Sequence, residues 1–128
     1  MTARTPEDCD RLLGDYLASG SVDDILTLYE ATAVFVTEDR QHLVGHAALR
    51  EVMTAFAAAR PTLTPNLVLV ARNGDDLAMI FNDWTLTATG PDGTTAEQRG
   101  RAVEVVRRQP DGTWRFAFDD PFGRGLSR

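Results

Sequence analysis

The chain has 128 residues, 19 acidic and 13 basic side chains with every basic one an arginine, and a formal net charge of −6, which fits one domain over 1–128 and argues against nucleic acid as a partner. The absence of lysine excludes Schiff-base and pyridoxal phosphate chemistry of the usual kind and a Walker A loop, and the lone cysteine excludes an intrachain disulfide or a multi-cysteine zinc site. No apolar stretch approaches the roughly 20 residues of a membrane span, and the opening MTARTPEDCD lacks a signal-peptide core, so a cytoplasmic protein with no membrane contact is expected.

Thr5 is a candidate cap for a first helix, followed by Pro6 and by Glu7 and Asp8 in the first turn. Cys9, Leu12, Leu13, Tyr16 and Leu17 form its apolar stripe, and Gly20 ends it. Ser21 caps a short second helix carrying Val22, Ile25, Leu26, Leu28 and Tyr29. Ala33–Thr37 is β-rich, Glu38–Gln41 turns the chain, and His42–Val44 reads as a short return strand. Gly45 precedes a third helix over roughly 46–59, stopped by Pro61. The second half reads as four strands: 63–72, 77–89, 94–108 and 113–120. Helices gathered before a long antiparallel meander imply an α+β fold, one curved sheet with helices on its inner face.

Two copies of one turn signal fix the strand register. Pro91-Asp92-Gly93 and Pro110-Asp111-Gly112 each fit a three-residue hairpin loop with Gly in the left-handed position. On that basis Ile80 faces Glu104, Asn82 faces Ala102 and Trp84 faces Gly100. In the next hairpin Val106 faces Phe116, Glu104 faces Phe118 and Ala102 faces Asp120. Opposed residues share a sheet face. The inner face then carries Asn82, Trp84, Glu104, Phe116, Phe118 and Asp120, while Asp83, Arg101 and Asp119 fall on the outer one. Three short helices cannot cover four long strands, so a cavity between helices and sheet is expected, walled by Trp84, Glu104, Phe118 and Asp120.

Glu104, opposed to apolar neighbours, should be desolvated and raised in pKa, and would then donate a hydrogen bond to a carbonyl; the alternative is a structural carboxyl bonded to Asn82, an arginine or water. Asp120 on the same face would make an acid/base pair with it, or merely cap a strand end. Trp84 over Gly100 is either a stacking surface for a flat ligand or packing of a ring on a glycine. Tyr16 is core, with a hydroxyl in reach of the cavity. His42 and His46 are spaced i, i+4, but the strand-to-helix switch between them spoils a metal site, so no metal is expected.

The stretches ASGSVDDILTLYEATAVFVTEDRQHLVGHAALREVM, FNDWTLTATGPDG and RAVEVVRRQPDGTWRFAFDDPFG, in this α-α-β-β-α-β order, resemble the nuclear transport factor 2-like superfamily, in its branch of small SnoaL-like, ketosteroid isomerase-related bacterial domains. The resemblance implies a cone-shaped fold, with a curved, mostly antiparallel sheet wrapped around three helices. It implies a pocket for a small, largely apolar, carbonyl-bearing molecule, cofactor-free acid/base isomerase or cyclase chemistry, and a homodimer through the outer sheet face. The general base position of ketosteroid isomerases falls at Thr37, with Glu38 beside it. The helical tyrosine donor position falls at Leu13, one turn from Tyr16. The protonated acid position falls at Glu104. The expected catalytic set is Glu104 as donor with Asp120 or Glu38 as base. The expected ligand-binding set is Trp84, Asn82, Phe118, Phe116, Tyr16 and Phe35. A noncatalytic ligand-binding or protein-interaction domain of the same fold is the competing expectation.

Overall fold

The computed structural model describes residues 2–125. Helix α1 (Pro6–Ser19) begins with a capping box: the Thr5 side chain accepts from the Asp8 N–H, and the Asp8 carboxylate accepts from the Thr5 N–H. It ends at Gly20, whose φ of 75° is left-handed. Its buried side presents Cys9, Leu12, Leu13, Leu17 and also Asp10. Helix α2 is shorter than its apolar spacing suggests, covering Val22–Leu26. Tyr29 belongs to strand β1 (Tyr29–Val36), where it pairs with Phe116, and the Phe116 N–H bonds the Leu28 carbonyl at 2.7 Å. Long-range pairing here overrides a local helical pattern. Strand β2 (His42–Val44) and helix α3 (His46–Ala57) follow.

The expected strand 63–72 is two strands, β3 (Thr62–Thr64) and β4 (Leu67–Asn73). Both pair antiparallel with β5 (Leu77–Thr89), and the break falls at Pro65-Asn66. Proline has no N–H to donate to a ladder. The Asn82 side chain repairs the gap by accepting from the Asn66 N–H at 2.9 Å. Strands β6 (Thr95–Arg108) and β7 (Trp114–Asp120) complete a seven-stranded sheet of order β2-β1-β7-β6-β5-β3, with β4 also on β5. The β1–β7 contact is parallel and every other pairing is antiparallel. The architecture is therefore α+β, three helices against a mixed, mostly antiparallel sheet.

Both Pro-Asp-Gly turns form as expected, with Gly93 at φ 81° and Gly112 at φ 83°. Along β5–β6 the register is the expected one from end to end, including Ile80↔Glu104, Asn82↔Ala102 and Trp84↔Gly100. Along β6–β7 it holds only as far as Val106↔Phe116. A bulge at Ala117 then slips the ladder by one residue, so Val105 faces Phe118, Glu104 faces Asp119 and Val103 faces Asp120. This corrects the expected faces: Asp119 turns inward at 4% exposure, and Phe118 turns outward at 50%. The core lies between the helices and the inner sheet face, around Leu12, Ile25, Tyr29, Leu49, Ile80, Val106 and Phe116. Among the described residues no helix is long and apolar enough to cross a membrane.

Candidate functional site

A cavity of about 380 Å³ opens between the helices and the inner sheet face, within the range of about 300–1,000 Å³ usual for small-molecule sites. Its walls are apolar. Helix α1 supplies Leu13 and Leu17, α3 supplies Val52, Met53 and Phe56, β1 supplies Phe35 and Val36, and β5 supplies Trp84 and Leu86. Thr37 and Glu38 lie at the end of β1, and Pro121 with Phe122 closes the far side. The Trp84 indole N–H donates to the Pro121 carbonyl at 2.8 Å, and its ring meets Phe122 edge-on at 5.4 Å. The indole is thereby fixed as a wall.

The polar groups are Asp10 from α1, Asn82 from β5, Glu104 from β6 and Asp119 from β7, each 4% exposed or less, with Tyr29 from β1 fully buried. All five line the cavity. The Tyr29 hydroxyl donates to Asp119 Oδ2 at 2.5 Å, and Asn82 Nδ2 reaches Glu104 Oε2 at 3.4 Å. Asp10 faces both Glu104 and Asn82, yet neither Asp10 oxygen nor Glu104 Oε1 has a hydrogen bond of ordinary geometry.

Three carboxyl groups share this apolar space, and burial disfavours the charged form of each. Burial pushes Asp10 up to about 6, with Glu104 and Asn82 pulling the other way. Burial pushes Asp119 up to about 7, partly offset by the Tyr29 hydrogen bond and reinforced by the charges of Asp10 and Asp120. Glu104 is raised furthest: it is buried, and the neighbouring Asp10 and Asp119 repel a further negative charge. Of the neighbouring pair, Glu104 is thus the member held toward its neutral form and Asp10 the member that ionises more readily. Such a pair can donate a hydrogen bond with one member and accept a proton with the other.

The expected site residues separate accordingly. Glu104, Asn82, Trp84 and Phe35 line the cavity, and Glu38 stands at its rim. Asp120 does not: the bulge turns it away, and Arg40 holds it through two hydrogen bonds of 2.8 and 2.7 Å. Phe118 is on the outer face. Phe116 is fully buried beneath the cavity, 4.8 Å from the Tyr29 ring, and Tyr16 packs into the core beside it without lining it. On the outer face Asp83 accepts from Arg124 at 2.6 Å while its lateral neighbour remains Arg101. His46 Nε2 bonds the Tyr29 carbonyl at 2.8 Å and His42 is exposed.

Asp10, Tyr29 and Asp119 were not anticipated. Asp10 shares a helix face with Leu13 and Leu17 by i, i+3, i+7 spacing, a signal masked by the stronger apolar stripe. Tyr29 sits in a segment with helical spacing, and Asp119 depends on the bulge.

Solved structures similar to this chain share its fold at low identity. A conserved protein from Planctomyces limnophilus superposes with a TM-score of 0.78 at 16% identity, covering 91% of either chain. A ketosteroid isomerase-like protein from Erwinia carotovora atroseptica gives 0.74 at 16%, covering 89% of either chain. A nuclear transport factor 2-like protein with a cystatin-like fold from Novosphingobium aromaticivorans gives 0.74 at 17%, covering 88% of this chain and 75% of its own. No curated protein matches this chain. The SnoaL-like domain description matches residues 10–119, a span that holds all five polar cavity residues, from Asp10 at its first position to Asp119 at its last, so the chain belongs to the SnoaL-like domain family.

Proposed function

We propose that the cavity binds a small, largely apolar, carbonyl-bearing molecule and moves a proton next to the carbonyl without a cofactor, as an isomerase or cyclase does. The observation that carries this reading is the buried Asp10–Glu104 pair at an otherwise apolar cavity. Protonated Glu104 donates to the carbonyl oxygen and stabilises the charge that develops there. Ionised Asp10 takes the adjacent proton and returns it to the enol at another carbon. Burial first, then the charge of Asp10, and to a smaller extent that of Asp119, held by Tyr29, keep Glu104 protonated. Asp10 thus replaces Asp120 and Glu38 as the base, and Glu38, exposed at the rim, passes protons to solvent. Trp84 and Phe35 hold the apolar body.

The test is deuterium uptake by 2-tetralone in D2O, followed by NMR, with wild type, Asp10→Asn and Glu104→Gln. Each variant is expected to lose about 10²-fold or more of the catalysed exchange, as removal of a positioned acid or base does. Equal exchange in all three proteins would sink the reading. Saturable thermal stabilisation by the ketone with no exchange in wild type would favour the noncatalytic binding domain instead.

We also infer that the protein works as a cytoplasmic homodimer. The outer sheet face carries Leu69, Met79, Phe81, Val103, Val105 and Phe118 in laterally adjacent positions. Leu69, Met79 and Phe118 are 39%, 38% and 50% exposed, a contiguous apolar patch of the kind that marks an interface.

A further inference from the structure

The cavity has an unusual charge balance. Its titratable lining groups are Asp10, Glu38, Glu104, Asp119 and Tyr29, and no arginine or histidine is among them. The nearby guanidinium groups are engaged elsewhere: Arg40 holds Asp120 and Arg124 holds Asp83. The deep carboxyls therefore have no cationic partner within the described residues that line the cavity. Donors are equally scarce. The Tyr29 hydroxyl is committed to Asp119, and the Asn82 amide donates to Glu104 Oε2 at 3.4 Å and also faces Asp10. Both Asp10 oxygens and Glu104 Oε1 lack a hydrogen bond of ordinary geometry, on side chains that are 1% and 3% exposed.

Buried acceptors without a well-aligned donor are costly and mark a place where a ligand supplies what the protein lacks. Three open carboxyl oxygens match a group with several N–H donors and a positive charge. A metal ion does not fit this description, because no group of three or more acidic, histidine or cysteine side chains among the described residues converges to hold one. The aromatic walls suit an organic cation as well. Trp84, Phe35, Phe56 and Phe122 surround the cavity, and ring faces attract ammonium groups, most strongly when water is excluded.

We infer that this cavity binds apolar molecules ending in a protonated primary amine, with the ammonium on the open oxygens of Asp10 and Glu104 and the apolar body against the aromatic walls. The inference rests on the cavity of the proposed function but not on its proton transfer. Anionic ligands are excluded by the same acids. The net charge of −6 draws cations toward the protein.

Binding of the cation carries a pH signature. The titratable groups facing Asp10 are Glu104 from β6, Asp119 from β7, Tyr29 from β1, and Cys9 on its own helix, none of them cationic. Protonation of Asp10 and Asp119 below about pH 6 removes the counter-charge, so the ammonium binds more weakly in acid, whereas a neutral ligand does not respond in this way.

The test uses three size-matched probes, 3-phenylpropylamine, 3-phenylpropanol and 3-phenylpropanoate, titrated calorimetrically into the full chain at about pH 5 and pH 7.5. The amine is expected to bind at least about tenfold more tightly than the alcohol at the higher pH and to lose about tenfold of its affinity at the lower one, in line with one lost charge contact. The carboxylate is expected not to bind. Asp10→Asn, with Glu104→Gln as a second variant in case the first unfolds, should bring the amine down to the affinity of the alcohol. Equal affinities for amine and alcohol in wild type overturn the inference, as does an amine preference that both folded variants retain, or a failure of all three probes to bind folded wild type. Ketone exchange without amine preference overturns this inference alone. Amine preference without ketone exchange supports it while the proton-transfer reading fails.

Discussion

Gly100 shows how one missing side chain shapes the site. A methyl group there would stand 2.3 Å from Trp84 Cζ2, 2.6 Å from Cε2 and 2.8 Å from the Pro121 carbonyl oxygen. The indole occupies the space that a side chain at this position would need. Gly100→Ala is expected to push the ring off its partner carbonyl and to cost about 1–3 kcal/mol of stability, the range for overpacking. Urea unfolding followed by tryptophan fluorescence checks both effects, and an unchanged midpoint would contradict the packing. Trp84 and Glu104 were legible in the sequence because a Pro-Asp-Gly turn sets their register over a short distance. Asp10 was legible only in part: its spacing puts it on the buried helix face, but nothing local says that a sheet carboxyl waits there.

At the scale of elements, the bulge in β7 has the largest consequence. Alternation continued from Trp114 would have sent Phe118 and Asp120 inward. One extra residue at Ala117 exchanges them, bringing Asp119 to the cavity and leaving Phe118 on the outer face. No residue type in WRFAF marks that slip. It is favoured by what lies on either side, since β7 must match antiparallel β6 and parallel β1 at once, and β1 itself shifts register between Tyr29 and Val34. The exchange also completes the outer apolar strip on which the proposed dimer depends. Phe118→Asp is expected to shift the protein to monomer in sedimentation equilibrium while leaving the fold intact, because the side chain has no core contact to lose. A wild type that is already monomeric at micromolar concentration would refute the dimer.

For the whole molecule, the buried acids link stability to pH. Asp119 is pushed up to about 7 and Asp10 up to about 6 from an ordinary 3.8, and Glu104 is raised as well. In the unfolded chain all three titrate near about 4. Between about pH 4 and pH 7 the folded protein therefore binds more protons than the unfolded chain, and stability falls as pH rises through that window. The urea midpoint is expected to be higher at about pH 5 than at about pH 8. Asp119→Asn, which keeps an oxygen for Tyr29, should flatten the trend. A midpoint that rises from pH 5 to pH 8 would show that the acids are not desolvated as the fold places them.

The sequence by itself determined the features that depend on neighbours a few residues apart. These are the capped first helix with its glycine stop, the two hairpin turns, the inner face of β5 and β6, and the α+β class. Each rests on local propensity, spacing or turn chemistry, which a single strand of text contains. Tertiary structure alone decided that Tyr29 leaves a helical pattern for a strand, that β7 slips at Ala117, and that Asp10, Glu104 and Asp119 meet from three separate elements. Those outcomes come from pairing and packing energies between segments far apart in the chain, and they outweigh the local preferences that opposed them.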